Sequence, residues 1–152
     1  MPADNVTPFR RPPKRVQQRQ QGGMGFKTHR GKAVLVHALT LAAFTLNFIF
    51  PTGIESLLGT FVGLGAAFLA YSNRYDGMPW AATHHEHVFR TVLIGYSLWT
   101  VASALTYVNG IFVPVAIYTH LAIIVWAGIR SGVGLVLAMM RRPIWHPKGW
   151  LL

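Results

Sequence analysis

Four stretches dominated by apolar residues, each 18 or more residues long, fall within residues 33–152. A helix rises about 1.5 Å per residue, so roughly 20 such residues cross the hydrocarbon core of a bilayer. The first run, Ala33 to Phe50, contains no charge and ends at Pro51-Thr52-Gly53. The second, Ile54 to Ser72, has Glu55 at its start and Asn73-Arg74-Tyr75-Asp76-Gly77 after it. The third, Val88 to Val108, carries Arg90 in its first turn. The fourth starts at Ile111 after Asn109-Gly110 and reaches Arg130, with Pro114 in its first turn, where a missing N–H is tolerated. A soluble bundle built from these runs would keep almost no polar face for water. Composition agrees: charged residues are 12% of the chain, hydrophobic residues 52%, and mean hydropathy is +0.37. The expected fold is all-α and polytopic, with spans at about 33–50, 54–72, 88–108 and 111–130.

One helix over Ile111–Met140 would be about 45 Å long and would overshoot the hydrocarbon core. The fourth span is therefore expected to end near Arg130. A short apolar segment, 131–140, would then lie at the interface and pack on the bundle. Residues 1–32 form a separate basic tail, holding eight of the 14 Lys and Arg residues and one of the four acids. Its prolines, glutamines and glycines up to position 24 read as a disordered stretch. A cleaved signal peptide is not expected, because the charged lead is long and no small-x-small pattern follows the first run.

With four spans, both termini share a side with the 73–90 segment, and that side carries all 14 Lys and Arg. The positive-inside rule places it in the cytoplasm. The tail, around Arg10-Arg11-Pro12-Pro13-Lys14-Arg15, then meets an anionic inner leaflet. Nucleic acid is not favoured, since Phe9 and Phe26 are the tail's only aromatics for base stacking.

The segment His84-His85-Glu86-His87-Val88-Phe89-Arg90 gathers three of the seven histidines beside an acid and a base. On a helix His84 and His87 share a face, a spacing that can serve a transition metal. Glu86 points elsewhere and no second ligand pair is visible, so a structural polar cluster of His84, His87, Arg90 and Arg130 is the favoured reading, with contacts to the tail or C-terminus. A metal site and a pH-responsive contact are the alternatives. Arg130 is expected to snorkel to the headgroups or to pair with Glu86 or Asp76. His37 and His120 lie inside spans, where ionisable groups are functional candidates by default. A bis-His haem is disfavoured because their depths differ by roughly 7–9 Å at 1.5 Å per residue. Interhelical hydrogen bonds to Tyr96, Thr40 or Asn47 are the preferred role. Small residues mark helix contacts: Gly59-x-x-x-Gly63 in the second run, and Gly128 with Gly132 in the fourth.

The chain has no cysteine, which excludes disulfides, thiolate metal sites and a cysteine nucleophile. Four acids, no paired carboxylates and no phosphate-cradling loop leave little material for acid–base catalysis. Neither an enzyme nor a resident cofactor is expected.

The order of features, a His/Arg segment leading into the third span and then Arg130-Ser131-Gly132 and Arg141-Arg142-Pro143-Ile144-Trp145-His146-Pro147 after the fourth, has a counterpart. It resembles small bacterial four-span membrane proteins related to the chloroplast inner-envelope protein import component, over roughly residues 33–147. The resemblance implies a bacterial inner-membrane, non-enzymatic component with a role in protein handling, and it supplies no catalytic residue. The leading expectation is an accessory or scaffold subunit that packs against a larger membrane complex or a homo-oligomer. The alternatives are a small solute- or ion-translocating oligomer using His37 and His120, and a haem- or metal-binding protein.

Overall fold

A computed structural model describes residues 25–51, 54–75 and 78–150. The tail's segment 1–24 lies outside the described residues. Four helices follow in order: α1 (His29–Ile49), α2 (Ser56–Asn73), α3 (Pro79–Val108) and α4 (Val113–Met139), with a 3-10 turn at Gly110–Phe112 before the last. The architecture is the all-α, four-helix one expected, and each helix is long and apolar enough to cross a membrane.

Local chemistry sets the ends. Thr28 caps α1, its hydroxyl accepting from the Gly31 amide at 3.0 Å. Pro79 sits in the first turn of α3, where its lost N–H is harmless. Asn109 turns the chain between α3 and α4 by accepting the Ile111 amide on its side-chain oxygen at 3.0 Å. At the end of α4, Arg141 adopts a left-handed φ of 56°. The Arg141 and Arg142 amides bond back to the Ala138 and Leu137 carbonyls, closing a Schellman turn.

Three expected boundaries shift. Helix α1 begins at His29, inside the tail expected to run to residue 32, because Thr28 caps it there. Helix α3 begins at Pro79 rather than at Val88, because Ala81, His84 and Val88 continue one buried face. Helix α4 does not stop near Arg130; residues 131–139 belong to it. Ser131, Gly134 and Ala138 extend its buried face at the same three-to-four-residue spacing, so packing holds these turns in the helix.

Helix α1 packs on α2, α3 and α4, and α3 packs on α2 and α4, while α2 and α4 stand on opposite sides. Much of the inward faces is small or polar: Ala33, His37 and Thr40 on α1; Gly59, Gly63 and Ala66 on α2. Val36, Phe44, Val88, Val92 and Ile123 are the larger apolar groups buried among them. The outward faces carry large apolar groups such as Phe61, Phe68, Leu93, Val101, Ile117 and Val125. Between helices in lipid no hydrophobic drive operates, so close approach and interhelical hydrogen bonds must hold them. Small groups inside and large apolar groups outside are what that environment selects.

Candidate functional site

The first turns of α1 and α3 and the last turns of α4 meet at one end of the bundle. Arg30 Nη2 donates to the Met139 carbonyl at 2.7 Å, and Lys32 Nζ to Asn73 Oδ1 at 2.6 Å. Beneath these ties lies a buried polar cluster. His37, His84, His87 and Thr91 are fully buried, and Arg130 and Ser131 are nearly so. His37 comes from α1, His84, His87 and Thr91 from α3, and Arg130 and Ser131 from α4.

Arg130 anchors the cluster. Its Nε donates to Thr91 Oγ1 at 3.0 Å, its Nη2 to His87 Nδ1 at 3.1 Å and its Nη1 to the Gly149 carbonyl at 2.8 Å. Its guanidinium also lies 5.1 Å from the centre of the Trp126 ring, within cation–π range. His37 Nε2 lies 3.0 Å from His84 Nδ1, and His84 Nε2 donates to the Arg142 carbonyl at 2.8 Å. Gly134 makes room for the His37 ring: a Cβ there would come within 2.6 Å of Nδ1.

The cluster therefore fastens the C-terminal segment onto the helices. Thr83 Oγ1 accepts the Ile144 amide at 3.0 Å, and Trp126 Nε1 donates to the Trp150 carbonyl at 2.7 Å. Ile144 is buried against the bundle. A non-helical backbone packed on helices needs such partners for the carbonyls and amides it buries.

The expected polar residues divide. His84, His87 and Arg130 come together. Arg90 does not join them; it donates to Glu86 at 2.6 Å, and Arg74 pairs with the same carboxylate at 4.0 Å. Arg130 is neither snorkelling nor paired with Glu86, whose oxygens face Arg90 and Arg74; Asp76 lies outside the described residues. His37 belongs to the cluster, although its depth on α1 and its distance in sequence hid this. His120 lies elsewhere, stacked on Trp99 at 3.9 Å between ring centres, with Nε2 3.2 Å from Ser103 Oγ and 3.3 Å from the Trp99 carbonyl. His37 and His120 thus bond to different partners, and neither bonds to Tyr96, Thr40 or Asn47.

Among the glycines, Gly59 and Gly63 are contact points: a Cβ at Gly59 would lie 2.9 Å from the Ala43 carbonyl, and one at Gly63 would strike the Tyr96 hydroxyl. Tyr96 Oη donates to the Gly59 carbonyl at 2.9 Å and receives Asn47 Nδ2 at 3.4 Å. Gly128 and Gly132 touch nothing within 4 Å of where a Cβ would stand. Sequence reasoning missed Gly95, which admits the Phe44 ring, and Gly134. The His85 ring, buried but with Nδ1 unbonded, takes no part in the Arg130 network.

Among the described residues no group of three or more His, Asp or Glu side chains is arranged to hold a metal ion. No family model, curated protein or solved structure matches this chain.

Proposed function

We propose that this protein is a non-enzymatic subunit of a larger assembly in a bacterial inner membrane, with both termini on the cytoplasmic face. The observation that carries the reading is the contrast between two small-residue faces. Gly59 and Gly63 are filled by α1 and α3 within the monomer, whereas Gly128 and Gly132 on α4 stand open to an approaching helix. The polar groups at the end of the bundle support it, since they bind the chain's own C-terminal segment rather than line an accessible pocket. The likeness of segments 84–90 and 130–147 to relatives of a protein-import component points the same way. In such an assembly the basic N-terminal segment supplies attraction to anionic lipid or an acidic partner.

The test is extraction from native membranes in mild detergent, followed by native gel electrophoresis and mass spectrometry of the band. The wild-type protein is expected in a band far above its own mass. The Gly128→Ile/Gly132→Ile double variant is expected as a monomer of unchanged helical content. A wild-type protein that migrates alone, or a double variant that stays in the large band, overturns the reading.

A further inference from the structure

The histidine cluster contains two polar atoms of opposite sense that no protein group satisfies. His84 Nε2 faces the Arg142 carbonyl, which can only accept, so the proton of His84 is on Nε2. Its Nδ1 is then an acceptor, and the His37 Nε2 beside it must be the donor. In neutral His37 this leaves Nδ1 a bare acceptor, and it is buried without a partner. At the other side, Arg130 can only donate, so the His87 Nδ1 it touches accepts and the proton of His87 is on Nε2. That Nε2 is also buried without a partner. Full burial favours the neutral form of all three rings, since a charged imidazole there would lose its hydration.

We infer that one water molecule is bound between His87 Nε2–H and His37 Nδ1, with the Ser131 hydroxyl as its third partner. The centres of the two rings are 5.9 Å apart and tilted by 50°. A water making two hydrogen bonds of about 2.9 Å each joins nitrogens roughly 4.5–5.5 Å apart, a separation open to two rings whose centres lie this close. The His37 ring lies against α4 at Gly134, its Cε1 edge nearest, and Ser131, one turn earlier on the same buried face, has an unbonded Oγ. Buried waters make about three hydrogen bonds to groups like these. The water accepts from His87 and donates to His37. It closes a chain in which every member donates in one direction: Arg130, His87, water, His37, His84 and finally the Arg142 carbonyl. Aligned bonds of this kind polarise one another. The same polarity excludes a metal bridging His37 and His87, because Nε2 of His87 offers a proton and not a lone pair while Arg130 holds its Nδ1.

Magic-angle-spinning NMR on the full-length protein in liposomes, with 15N-labelled histidine, reads this directly. His37, His84 and His87 are each expected to carry a proton on Nε2 alone. Magnetisation from bound water is expected at His87 Nε2–H and not at His84 Nε2–H. Ser131→Leu, which fills the water's position, is expected to abolish the transfer to His87 and leave the His84 signal in place. Ser131→Ala, a milder change, is expected to keep all three tautomers and weaken the transfer. A proton on Nδ1 of His37 or His87, equal water transfer to His84 and His87, or no transfer to His87 in the wild-type protein overturns the inference. So does a shift of the His37 and His87 signals on adding zinc ion.

Discussion

At the end where α4 runs into the C-terminal segment, the helices meet through imidazole, guanidinium and hydroxyl groups. Further along the bundle they meet through glycines that receive aromatic and amide side chains: Gly59 with Asn47 and Tyr96, Gly63 with Tyr96, Gly95 with Phe44. Both solutions suit helices in lipid, where association depends on close packing and interhelical hydrogen bonds. The difference lies in what else must be satisfied. Where all four segments are helical, the backbone bonds to itself and the interface needs only shape. Where the chain leaves the helix after Arg141, backbone carbonyls and amides need partners, and His84, Arg130, Thr83 and Trp126 supply them. The polar cluster sits at the place where irregular backbone is packed on the bundle.

Removing Arg130 is the strongest way to break this contrast. Arg130→Met keeps the bulk but leaves His87 Nδ1, Thr91 and the Gly149 carbonyl without their donor. Stranding buried groups in this way is expected to cost about 3 kcal/mol. Thermal unfolding in detergent should drop accordingly, and trypsin should cut after Arg141 or Lys148 faster than in the wild type. Unchanged tryptic rates would separate the cluster from the C-terminal segment.

Gly63→Val probes the shape-dependent half, where the added methyl groups strike the Tyr96 hydroxyl. A loss of about 2 kcal/mol is expected from overpacking, while Gly128→Val should stay within about 0.5 kcal/mol when the monomer is measured alone. Equal losses at the two sites would mean that Gly128 also has an intramolecular neighbour. A gain is expected from Arg141→Gly, since a left-handed residue costs about 1 kcal/mol with a side chain and little without one. The Arg142 carbonyl should keep its place, so the unfolding midpoint should rise with no change in tryptic cleavage after Lys148. Tyr96→Phe removes two interhelical hydrogen bonds, to Gly59 and from Asn47, and at about 0.6 kcal/mol each the loss is about 1 kcal/mol, read as a small fall in the unfolding midpoint.

Much of the fold was legible because length and hydropathy act locally. Apolar runs of span length, bounded by Pro51, Asn109-Gly110 and the polar stretch Asn73–Gly77, need no tertiary knowledge to recognise. The boundaries at Pro79 and beyond Arg130 were not legible. They depend on which face of a helix continues to be covered, and Ser131, Gly134 and Ala138 look like any small residues until α1 lies against them. The cluster was half legible: the spacing of His84 and His87 put them on one face, and Arg130 stood out as a charge between apolar stretches. Nothing in the spacing of His37, some fifty residues away from them, announced it as their neighbour. Gly128 and Gly132 carry the same signal as Gly59 and Gly63, and only the placement of the helices separates an occupied small-residue face from an open one.

By itself the sequence determined that the chain is helical and membrane-spanning, because an apolar backbone-satisfied helix is the structure that 18 or more such residues adopt in hydrocarbon. It also fixed where the turns fall, through proline, glycine and asparagine chemistry that acts within a few residues. The tertiary structure alone decided which polar side chains became partners, since a hydrogen bond between α1, α3 and α4 depends on the rotation and depth of three helices at once. It is that arrangement that turned Arg130 inward, gave each histidine ring its direction and set the Arg142 and Gly149 carbonyls against them.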